Sequence, residues 1–93
     1  MIVPNSQENR AMNRNELLIG NIDRLHTTPM GVDRIKRNLK LDTDDAVSYC
    51  KDLILNSQCR ITRQGKNWYC KIENIRITVN AYSYTIITAH TIQ

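Results

Sequence analysis

Ninety-three residues leave room for one hydrophobic core and exclude a two-domain mechanism. Apolar residues make up 41% of the chain and charged residues 24%, too apolar a balance for a disordered segment. The formal charge of +4 is compatible with a polyanionic partner such as RNA, DNA or an acidic protein, and equally with a solvated surface carrying a modest excess of charge.

Residues 1–12 are polar, contain Pro4 and show no periodicity, which predicts a flexible N-terminal tail; the remainder, 13–93, is read as one α+β domain. The tail has no basic stretch followed by an apolar one, so it does not read as a signal peptide. A first helix is expected from a cap at Asn13 or Asn15 to about Leu25 or His26, with Leu18, Ile22 and Leu25 on one stripe. Thr28 followed by Pro29 marks a second helix start, because the hydroxyl caps free N–H groups and proline lacks the donor that the first turn cannot use. Its inward stripe is Val32, Ile35 and Leu39, leaving Arg34, Lys36 and Arg37 wet. Leu41-Asp42-Thr43-Asp44-Asp45 is expected to start a third helix, with carboxylates in its first turn that favour the positive end of the dipole, and Val47, Cys50, Leu53 and Ile54 face inward.

After Asn56-Ser57 the period falls from about 3.6 to 2, the mark of strands. Cys59 and Ile61 alternate with Arg60 and Thr62; Gln64-Gly65-Lys66 turns; Trp68, Cys70 and Ile72 alternate with Tyr69 and Lys71; Glu73-Asn74 turns again. Ile75, Ile77 and Val79 alternate with Arg76, Thr78 and Asn80, and a last strand runs from Tyr84 to Ile92. The predicted architecture is α+β: three N-terminal helices packed on one face of a four-stranded antiparallel β-meander. Both sides of the last strand carry apolar residues; Ile87 and Ala89 are read as inward, which puts Tyr84, Thr88 and His90 on the open face.

That face collects the chemistry. Arg60, Tyr69, Lys71 and Asn80, with Arg34 and Lys36 on the second helix, are the nucleic-acid-binding candidates, since an aromatic ring among exposed cations suits single-stranded nucleic acid. His90, Arg76, Tyr84 and Thr88 are the catalytic candidates for RNA cleavage, in which a base takes the ribose 2′-hydroxyl proton and cations hold the charge of the phosphorane. Trp68 reads as a core anchor, and His26 as a cap, a packing residue or part of a site. Cys50, Cys59 and Cys70 show no CxxC spacing and read as reduced core thiols of a cytoplasmic protein. No metal site is expected, because only two histidines are present and neither has ligand spacing. No GxxxxGK[ST], GxGxxG or GxSxG motif occurs and no cofactor is expected; no membrane span is expected either, since apolar runs such as Leu17–Ile19 fall far short of the roughly 20 residues required.

His26-Thr27-Thr28, Gly31-x-x-Arg34-Ile35-Lys36-x-Asn38-Leu39, Gly65-Lys66-Asn67-Trp68-Tyr69 and the run Ile77 to His90 resemble a small family of uncharacterised bacterial proteins found mainly in Firmicutes. More loosely, helices before a four-stranded antiparallel sheet resemble the barnase, EndoU and RelE-like ribonuclease toxin superfamily. That resemblance implies catalysis on the open sheet face by Arg34 or Lys36, Arg76 and His90. The functional expectation is a small basic protein that binds nucleic acid, RNA before DNA, extended to metal-independent RNA cleavage. The alternatives are a non-catalytic inhibitor of a protein partner in a mobile-element or phage-defence setting, and a binder of a nucleotide-like small molecule.

Overall fold

The computed structural model of the chain describes residues 17–92; the tail read at residues 1–12 and the caps read at Asn13 and Asn15 lie outside that range. Residues 17–20 are helical, and the chain then tightens into a 3₁₀ turn, Ile22–Arg24. The uninterrupted helix expected as far as Leu25 is therefore corrected. Asn21 explains the break: its backbone N–H is shared between the carbonyls of Leu17 and Leu18, and its side-chain Nδ2 donates to Leu17 O at 2.8 Å, competing with the helical ladder. The predicted stripe survives, with Leu18 and Leu25 buried and Ile22 packed against them.

Helix α1 (Pro29–Leu39) starts as its sequence dictates: Thr28 Oγ1 accepts from Gly31 N–H at 3.0 Å and Pro29 fills the first position. Helix α2 (Ala46–Leu55) is capped by Asp45, whose Oδ1 accepts from Ser48 N–H at 3.0 Å. The expectation of carboxylates inside the first turn is corrected: the helix begins after the acidic run, of which Asp45 is the cap. Strands β1 (Arg60–Gln64), β2 (Asn67–Ile72), β3 (Ile75–Asn80) and β4 (Ile86–Thr91) form one antiparallel sheet in the order β1-β2-β3-β4. α1 lies against β4, where Asn38 Nδ2 donates to Ala89 O at 3.2 Å. The core joins Leu18, Ile35, Cys50 and Ile54 from the helical side to Trp68, Cys70, Ile77 and Val79 of the sheet.

Gly31 has a packing reason to be glycine. A Cβ there would overlap Thr27 Oγ1, the hydroxyl that donates to Ile86 O at 3.0 Å and ties the start of α1 to β4. Gly31→Ala is expected to lower unfolding free energy by about 1–3 kcal/mol in urea titrations, overpacking outweighing the roughly 1 kcal/mol that alanine contributes to an exposed helix. Gly20→Ala, with nothing within 4 Å of the added carbon, is the control expected to lose nothing.

The last strand does not keep period 2. Ile77 faces Ala89 and Thr78 faces Thr88, but Val79 then faces Ile86, so Ile87 is an extra residue in a β-bulge. Ile86 and Ala89 both point inward while Ile87 is 42% exposed, which corrects the expectation that Ile87 faces the core. Thr88 and His90 remain on the open side, opposite Thr78 and Arg76.

The three thiols sit among core residues. Burial pushes the Cys50 thiol up to about 12 from its ordinary 9.0. The neighbouring Cys59 sulfur, together with burial, raises the Cys70 thiol, and the proximity of Cys70 lowers half-buried Cys59. A thiol reagent at mildly alkaline pH is therefore expected to count one reactive group, lost in Cys59→Ser. Because the unfolded Cys50 thiol ionises near 9.0 and the folded one near 12, the stability it contributes is complete below pH 9 and declines as pH rises toward 12. The urea midpoint should fall between pH 8 and pH 10, less steeply in Cys50→Ala.

Candidate functional site

On the face away from the helices, the antiparallel register stacks side chains into rows that cross the strands. The first row is Arg60 opposite Lys71, Lys71 opposite Arg76, and Arg76 opposite His90. With neighbouring strands about 4.8 Å apart, this row of three cations and an imidazole spans roughly 14 Å. The second row is Thr62, Tyr69, Thr78 and Thr88. Arg76 brings its guanidinium carbon to 6.0 Å from the centre of the Tyr69 ring, within cation–π range. Between the rows lies a cleft of about 500 Å³ lined by Arg60, Thr62, Gln64, Tyr69, Lys71 and Arg76.

The electrostatics of this face are unbalanced. Among the described residues the salt bridges are Lys36 with Asp44 at 2.6 Å and Lys51 with Asp23 at 3.9 Å, and neither reaches the row. Like charges directly opposite one another destabilise a sheet, so Arg60, Lys71 and Arg76 repel across β1, β2 and β3, and none of the three forms a salt bridge with a described carboxylate. A bound anion would relieve them.

The residues singled out from the sequence divide into four groups. Arg60, Tyr69, Lys71, Arg76, Thr88 and His90 come together on the open face. Arg34 and Lys36 lie on α1, in the layer on the other side of the sheet; Arg34 is exposed, and the hydrogen bond from Lys36 to Asp44 raises the lysine and lowers the aspartate. Asn80 ends β3 and turns its Oδ1 to the following corner, accepting from the N–H groups of Tyr82 and Ser83 at 2.9 and 3.0 Å.

Tyr84 is the plain correction. Expected on the open face, it is only 5% exposed and belongs to the core, its ring centre 5.2 Å from that of Trp68 and the Arg24 guanidinium 4.3 Å above it. Its hydroxyl donates to Leu17 O at 3.2 Å. The cause is the corner: Tyr84 takes a left-handed backbone with φ 63°, which swings its side chain out of the alternation assumed for a strand beginning there.

The same corner holds a group that the sequence reading did not assemble. His26 pairs with Thr85 as a parallel bridge, its N–H donating to Tyr84 O at 3.1 Å and its carbonyl accepting from Ile86 N–H at 2.7 Å. Its ring lies 3.1 Å from Thr85 Oγ1, which is 2.7 Å from Ser83 Oγ. The partners are 59 residues apart, and no local spacing announces such a pairing.

A family model described as a protein of unknown function (DUF3781) matches residues 19–90, and the chain belongs to that family. No curated protein and no solved structure matches it.

Proposed function

We propose that the open sheet face binds single-stranded RNA, with the phosphate backbone crossing the strands along Arg60, Lys71 and Arg76 and a base stacked on Tyr69. The observation that carries this reading is the row of three cations in direct cross-strand register, none in a salt bridge with a described carboxylate, adjoining an aromatic ring and a cleft. Phosphates convert that repulsion into attraction, and a π-face accepts any base, so the expected binding is sequence-tolerant. Titration of the labelled protein with oligouridylate should shift the backbone amide resonances of β1, β2 and β3 and leave those of α1 in place. Shifts centred on α1 or α2 would place the interface elsewhere and overturn the reading.

A second reading, cleavage of the bound strand, is favoured by one observation: His90 stands opposite Arg76 at the end of the cationic row. There an imidazole can exchange the 2′-hydroxyl proton while the guanidinium holds charge on the phosphorane. Thr88 stands one row away as a hydroxyl that can orient the ribose. Tyr84, on the far side of the sheet, takes no part. With an end-labelled RNA, His90→Ala should lower the cleavage rate by about 10²- to 10⁴-fold while leaving binding intact. Equal rates in the two proteins would remove His90 from the reaction, and absence of cleavage by the unmodified chain would leave binding alone.

A further inference from the structure

The corner between β3 and β4 lies at the opposite end of β3 from Arg76 and carries hydroxyls and an imidazole of its own. Donor and acceptor capacities fix the direction of its hydrogen bonds. A carbonyl can only accept, so His26 Nδ1, 2.8 Å from Arg24 O, holds the ring proton and leaves a lone pair on Nε2. The Nε2 lone pair needs a donor, and the group 3.1 Å away is the Thr85 hydroxyl. With the Thr85 proton committed to His26, the 2.7 Å contact between the two hydroxyls requires Ser83 to donate. The chain therefore runs one way, from Ser83 Oγ–H to Thr85 Oγ1–H to His26 Nε2, with the Arg24 carbonyl orienting the ring as the third group does in an activated nucleophile.

Backbone geometry holds this arrangement in place. Tyr84 N–H donates to Asn80 O at 2.8 Å and Asn80 N–H to Thr85 O at 2.9 Å, closing the loop on itself. Asn80 Oδ1 accepts from Ser83 N–H at 3.0 Å and, at 3.2 Å, from Ser83 Oγ–H, so the single Ser83 proton is shared between Asn80 and the nearer Thr85 oxygen at 2.7 Å. Between the two hydroxyl residues sits Tyr84, a bulky residue in the left-handed region at φ 63°, a conformation that costs about 1–3 kcal/mol and collects at functional sites. Ser83 is exposed, and beside it the Tyr82 ring is 70% exposed, an apolar surface at the nucleophile.

We propose that Ser83 Oγ is an acyl-accepting nucleophile, activated through Thr85 by His26, and that its substrates are activated acyl compounds, esters or thioesters. In the step, Ser83 Oγ bonds to the carbonyl carbon, its proton passes to Thr85 Oγ1, and the Thr85 proton passes to His26 Nε2. The bond from carbonyl carbon to the ester oxygen or thioester sulfur then breaks. The leaving group departs with the electron pair and takes up the proton held by the imidazolium, giving acyl-Ser83 and an alcohol or thiol without change of oxidation state. Ser83 is the catalytic residue, and Thr85 and His26 carry its proton.

The full chain is treated with p-nitrophenyl acetate, release of p-nitrophenolate is followed, and the peptide containing Ser83 is weighed. Acetyl-Ser83 is expected, and Ser83→Ala should abolish that adduct without moving the thermal melt. Thr85→Val, which keeps the shape and removes the hydroxyl, and His26→Gln, whose backbone bonds to Tyr84 and Ile86 do not depend on the ring, should each slow acetylation of Ser83 by about 10²-fold or more. Thr85→Ser should restore the rate. Absence of acetyl-Ser83 in the unmodified chain, or an unchanged rate in folded Thr85→Val and His26→Gln, would overturn the proposal, because the hydroxyls would then only clasp the corner.

Discussion

Lys71→Glu is expected to weaken single-stranded RNA binding by about 10- to 100-fold while leaving the protein at least as stable as before. The two effects have one cause. Lys71 lies between Arg60 and Arg76 in the cross-strand row, so an acid there gains a favourable pair on each side, each contributing about 0.2–1 kcal/mol. The same acid confronts the phosphates that the two arginines attract, and electrostatic affinity falls. Fluorescence anisotropy with a labelled oligouridylate and a urea titration measure the two quantities on one preparation. Reduced affinity with undiminished stability separates a binding face from a solvated one; unchanged affinity would mean that Lys71 makes no contribution to an interface.

Adjacent positions on β2 give the largest contrast in the molecule. Trp68 is 1% exposed, packed against Tyr84 on the helical side, whereas Tyr69 faces the open cleft. Trp68→Ala removes the largest core side chain and is expected to cost about 3–5 kcal/mol, a large share of the stability of so small a domain. Its thermal transition should fall to near ambient temperature or disappear. Tyr69→Ala empties no core and should melt close to the parent, while losing the roughly 1–3 kcal/mol per base that aromatic stacking contributes. If Tyr69→Ala unfolded the chain and Trp68→Ala did not, the assignment of the two faces would be reversed.

The alternation of β1 to β3 reads directly from the sequence because β2 and β3 each bury one apolar face and β1 alternates exposed with half-buried side chains, and a one-residue slip would turn Trp68, Cys70, Ile77 and Val79 outward. The cationic row follows from it, since Arg60, Lys71, Arg76 and His90 fall on the other parity. Caps at Thr28 and Asp45 are equally local and equally legible. Three features escape because they depend on contacts distant in sequence or on unusual backbone. The bulge at Ile87 breaks period 2 to bury both Ile86 and Ala89. Left-handed Tyr84 sends to the core a ring that alternation assigns to the surface. The pairing of His26 with Thr85 joins a helix connection to a strand corner, and only the fold brings the two together.

The central claim, that the open face is an RNA interface driven by its cationic row, is tested most directly by the salt dependence of binding. Affinity of the unmodified chain for oligouridylate should fall linearly on a log–log plot against salt concentration. Three phosphates neutralised by Arg60, Lys71 and Arg76 give a slope of about −2, at roughly −0.7 per phosphate of a single strand. A slope near zero, or no binding at low salt, would contradict it.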